Sequence, residues 1–101
     1  MSRRLELHEI LCALLESRNV YYQAPNSTQM MYPAIRYSKS DIQGDYANNS
    51  LYSRMTRYEI IVIDKKPDNP VIDKLLGLQY CSFDRHYVAD NLNHDVLTLY
   101  Y

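Results

Sequence analysis

The densest run of side chains able to do chemistry is Cys81-Ser82-Phe83-Asp84-Arg85-His86-Tyr87, followed closely by Asp90, Asn93, His94 and Asp95. A thiol activated by an imidazole needs both groups on one face. A regular strand through this run sets Cys81 and His86 on opposite parities, so that pair is not expected. Asp84 and His86 share a parity, and a hairpin could bring His94 across to them, which would give a carboxylate and two imidazoles for a small metal-dependent enzyme. The spacing matches none of the tight zinc motifs, and the plainer expectation is a polar strip in which Asp84, Arg85 and His86 bond one another or an adjacent subunit. The two glycines, Gly44 and Gly77, stand too far apart to build a phosphate loop. Arg54, Arg57 and Tyr58 hint at a basic, aromatic patch. Against it, 11 Lys and Arg are balanced by 12 Asp and Glu, so neutralising nucleic-acid phosphates is not the expected business of the chain. His8 falls beside an apolar helical stripe and reads as a boundary or surface residue.

The elements that must position these groups follow from periodicity. From about Arg3 to Ser17, Leu7, Ile10, Leu11, Leu14 and Leu15 recur at helical spacing with Ser2 as a possible cap. Val20 to Gln23 reads as a short strand ended by Pro25. Met30 to Tyr37 reads as the next, with Pro33 near its start or at an edge because proline cannot donate to a ladder. Ser38 to Ser50 is a long polar loop, and its Ile42 and Tyr46 are candidate partner contacts. Tyr52 to Asp64 is the expected central strand. Its Ile60 to Ile63 end is apolar on both parities and should be buried beneath both helices, while its Tyr52, Arg54 and Arg57 end should meet another subunit. Asp68 or Asn69 followed by Pro70 predicts a capped, two-turn helix with Val71, Ile72, Leu75 and Leu76 as its apolar stripe and Gly77 as its stop. Leu78 to Val88 and Leu92 to Tyr101 read as two strands joined at Ala89-Asp90-Asn91. The last is aromatic and apolar to its end, with Tyr100 and Tyr101 as further candidate contacts. The order α-β-β-β-α-β-β predicts an α+β two-layer sandwich: a mainly antiparallel sheet of four to five strands, an N-terminal helix and a short second helix.

Composition narrows the classes further. A chain of 101 residues is expected to form one domain with about 6,000 Å² of accessible surface. Eleven tyrosines accompany one Phe and no Trp, an excess that suits half-buried sheet faces and subunit contacts. Cys12 and Cys81 are neither a disulfide framework nor a metal motif, and a reduced, cytoplasmic origin is the simple expectation. No apolar run is long enough for a signal peptide or a membrane span.

Tyr32-Pro33-Ala34-Ile35-Arg36-Tyr37, Tyr52 to Asp64 with its Arg57-Tyr58 and Ile63-Asp64, Pro67-Asp68, Cys81 to Tyr87, Ala89 to His94 and Leu99-Tyr100-Tyr101 together resemble small virion proteins from the structural gene block of long-tailed bacteriophages. The resemblance covers about residues 32–101 and is to minor structural or tail completion proteins of the tail terminator kind. It implies a homo-oligomeric ring, commonly hexameric, that caps the tail tube and joins it to the neck. The implied partners are further copies of the chain, the tail tube protein and neck or connector proteins. DNA would pass through the lumen without specific recognition, and no membrane is involved. The implied place is the virion tail or neck, after synthesis in the host bacterial cytoplasm. The resemblance implies no enzyme, cofactor or metal, and brings no active site to carry over. A head-closure or connector protein of the neck is the alternative within the same class. The chain is shorter than many terminators, so its position in the neck stays open.

Overall fold

The computed structural model describes residues 3–23, 31–42, 56–67 and 69–101. They form an α+β two-layer fold in the expected order: α1 (Arg3–Leu15), β1 (Val20–Tyr22), β2 (Ala34–Ile42), β3 (Thr56–Asp64), α2 (Val71–Leu76), β4 (Cys81–Ala89) and β5 (Leu92–Tyr100). The five strands make one sheet ordered β1-β2-β3-β5-β4. β1 runs parallel to β2, and every other neighbouring pair is antiparallel. The accessible surface is 6385 Å². No described helix is long and apolar enough to cross a membrane.

β3 is central, as its β-branched run predicts. Its alternate residues Tyr58, Ile60 and Val62 join Ile35 and Tyr37 of β2 and Leu97 and Leu99 of β5 in one buried cluster with Leu7, Leu11, Val71 and Leu75 of the helices. Both described helices therefore lie on the same sheet face. Leu7 and Leu11 are fully buried, and at about 2 kcal/mol for each side chain their transfer from water holds α1 down. Ile61 and Ile63 cannot share that cover, because consecutive residues point to opposite faces. They sit on the face away from the helices, in register with Val96 and His94 of β5. The expectation that Ile60 to Ile63 lies wholly under both helices is corrected accordingly.

The second helix starts as the sequence predicts. Pro70 already has helical angles (φ −64°, ψ −17°), and Asn69 Oδ1 accepts a hydrogen bond from the Val71 N–H at 2.9 Å. The cap is held in place by Asp64 at the end of β3, whose Oδ2 accepts from Asn69 Nδ2 at 2.7 Å. Gly77 ends the helix, but with right-handed angles (φ −76°, ψ −13°). The left-handed residue is Tyr80 (φ 65°), so β4 begins at Cys81 rather than Leu78. Asp90 and Asn91 both have positive φ (53° and 62°). They close the β4–β5 hairpin as a two-residue turn whose twist matches the strands, and Asn and Asp tolerate that conformation better than other non-glycine residues.

Two further boundaries shift. Tyr32–Pro33 is a cis peptide, and β2 begins just after it, at Ala34 rather than Met30. Ser38 to Ile42, expected as the start of the long loop, continues β2 and pairs with Thr56 to Glu59 of β3 across an irregularity at Lys39/Asp41. The remainder of that loop lies outside the described residues, as do Ser2 and the expected N-terminal end of the central strand.

Candidate subunit interface

The run richest in chemical groups became β4, an edge strand. Every residue from Ser82 to Val88 is exposed, and Phe83, Tyr87 and Val88 stand 46%, 38% and 63% open. A β-bulge between Phe83 and Arg85 leaves Asp84 without an opposite number on β5, since Phe83 pairs with Leu97 and Arg85 with Val96. One extra residue inverts parity downstream. Cys81 and His86 consequently share the helix-side face, contrary to the parity argument. Five positions along a strand still part them by about 15 Å, and burial pushes the Cys81 thiol above its ordinary range, away from the reactive thiolate.

The same bulge separates the suggested metal ligands. His86 pairs with Asp95 on the helix side, Nδ1 to Oδ1 at 2.7 Å. Asp95 is buried at the floor of a polar cleft of about 430 Å³ beside Asn69, Pro70 and Asp73. His94 lies on the other face, stacked on Tyr87 with centroids 4.7 Å apart and an interplanar angle of 10°. Its Nδ1 donates to the Leu92 carbonyl at 3.1 Å. Asp84 bonds its neighbour Arg85 at 2.8 Å. Among the described residues no group of three His, Cys, Asp or Glu side chains could hold a metal ion. What forms instead is the polar strip, with each charged or imidazole group paired locally.

Of the candidate contacts, Arg57 and Tyr100 come together as cross-strand neighbours on the face opposite α1 and α2. Arg57 Nε donates to Ser40 Oγ at 3.2 Å. That face has an apolar floor of Ala34, Ile63 and Val96, all buried, with half-buried Ile61 between them and the charged Arg36 and Glu59 alongside. Tyr101 turns the other way. It packs against the hydrophobic core and lines, with Leu7, Ile10 and Leu78, an apolar cleft of about 220 Å³ beside the middle of α1. Ile42 closes β2 opposite Thr56. Tyr46, Tyr52 and Arg54 lie outside the described residues.

A polar-aromatic cluster under α1 was not expected. Tyr37 is 1% exposed, and its hydroxyl lies 2.8 Å from His8 Nδ1. The Arg4 guanidinium also bonds the phenol. A guanidinium can only donate, so the phenol oxygen accepts from Arg4. Tyr22 and Tyr58 flank the ring with centroids at 4.9 and 6.0 Å, and Arg4 stands 4.4 Å above the Tyr22 ring. Burial pushes the Tyr37 phenol up and the His8 imidazole below its ordinary 6.5.

Sequence reasoning missed Phe83, Tyr87 and Val88 as surface groups. The available signal was Asp84-Arg85-His86, three ionisable residues in succession, which occupy both parities of a strand and so mark it as wet on both faces. Comparison with known proteins finds no matching family model, no matching curated protein and no matching solved structure.

Proposed function

We propose that the chain is a virion structural protein, a tail terminator or tail completion subunit that assembles into a ring, caps the tail tube and joins it to the neck. The resemblance across residues 32–101 motivates the reading. The observation that carries it is β4, a nine-residue edge strand open along its length with aromatic and aliphatic side chains turned outward. Such an edge is a template for another strand; the charges of Asp84, Arg85 and His86 and the bulge temper it, while Phe83, Tyr87 and Val88 leave apolar area exposed along it. A second surface is offered by the sheet face opposite α1 and α2, where Arg57 and Tyr100 are cross-strand neighbours. A ring requires two different surfaces on each subunit, since head-to-tail contact is heterologous.

The purified chain should therefore have a solution mass several times that of one subunit, and negative-stain images should show closed rings. A strict monomer over the micromolar range that is also missing from virions would sink this reading.

A further inference from the structure

The two edges of the sheet fit each other, and the geometry points to a junction in which β4 of one copy adds to β1 of the next. This inference rests on the ring reading and specifies its contact.

Strand directions come first. β1 and β2 run one way, β3 the other, β5 with β2, and β4 against β5. The two outermost strands, β1 and β4, are therefore antiparallel to each other. When copies are related by rotation about an axis along the strands, β4 of one meets β1 of the next in the antiparallel sense, the more stable ladder. The helix layers of all copies then fall on the same side of the continuous sheet. A junction of the opposite kind, β4 against β4, would close a two-fold pair and could not build a ring.

Heights come second. Register followed across the sheet links Tyr22 through Tyr37, Ile60 and Leu97 to Phe83, and Tyr21 through Arg36, Ile61 and Val96 to Arg85. A junction without offset sets Phe83 opposite Tyr22 on the helix side and Arg85 opposite Tyr21 on the other. The first pair is aromatic on aromatic, and the second sets a guanidinium against a phenol ring. Phe83 and Arg85 are exposed, while Tyr21 and Tyr22 are half-buried. The bulge at Asp84 makes the match possible, because without it Arg85 would share a face with Phe83.

The test places cysteines across the junction in the full chain. A Tyr21→Cys/Arg85→Cys double variant in a Cys81→Ser background, treated with a short bis-maleimide, should give a ladder of trimers and larger species on a denaturing gel, while each single variant stops at dimers. Phe83→Lys should keep the thermal midpoint of the monomer fold and reduce the solution mass from ring to monomer. Rings of the unaltered chain that yield no ladder, or a Phe83→Lys protein that remains a ring, would overturn the junction and leave the ring reading standing. A monomeric unaltered chain would overturn the ring reading itself.

Discussion

An imidazole set against a buried phenol makes the folded state sensitive to protons. His8 has its pKa lowered below 6.5, chiefly by burial, with the Arg18 and Arg4 charges adding to the effect and Glu9 opposing it. A depressed histidine favours the neutral form in the folded chain, so as pH falls through 6.5 the unfolded chain takes up a proton that the folded chain refuses. Stability attributable to this group is complete above that value and declines below it, until the folded chain also protonates. Thermal midpoints of the unaltered chain should fall more steeply than those of His8→Gln between about pH 7 and about pH 5. Parallel curves over that window would show that His8 carries no such linkage. The sequence placed His8 correctly beside the apolar stripe of α1. Its partner could not be read there, since Tyr37 lies 29 residues away and nothing local distinguishes it from the other tyrosines.

Elements with a local signature were legible, and those defined by a long-range neighbour were not. The start of α2 is the clearest case. Asn69 caps it, Pro70 leads it, and both functions depend on adjacent residues alone. Asn69→Ala should cost about 1 kcal/mol in urea denaturation, and somewhat more if the Asp64 carboxylate is left without its donor. A loss near zero would mean that packing of Val71 and Leu75 fixes the helix without the cap. β4 is the opposite case. Its apolar and aromatic residues read as a strand, yet the extra residue at Asp84 exists only in relation to β5. Without that relation, parity assigns Cys81, Asp84 and His86 to the wrong faces. The continuation of β2 through Ser38 to Ile42 was hidden for the same reason: a polar segment becomes strand because β3 supplies its ladder.

At the scale of the molecule, α1 and α2 share one face, and this divides the central strand by parity rather than by length. Ile60 is fully buried beneath the helices, whereas Ile61 is half-buried on the opposite side. Ile60→Asp should abolish cooperative folding, because an unpaired carboxylate there loses several kcal/mol of solvation. Ile61→Asp should leave a folded monomer of reduced stability, as judged by urea denaturation; equal losses at the two positions would contradict this arrangement. The α+β class, the element order and the central place of β3 followed from periodicity. The face on which the helices gather did not, because the β-branched run of β3 is compatible with cover from either side. The seam between the layers also has an optical consequence. With no tryptophan in the chain, near-ultraviolet circular dichroism will come mainly from tyrosine, and three of the described rings, Tyr22, Tyr37 and Tyr58, pack in succession. The protein thus carries an intrinsic reporter of the sheet beneath α1, one that follows the packing of β1, β2 and β3 against one another without any added label.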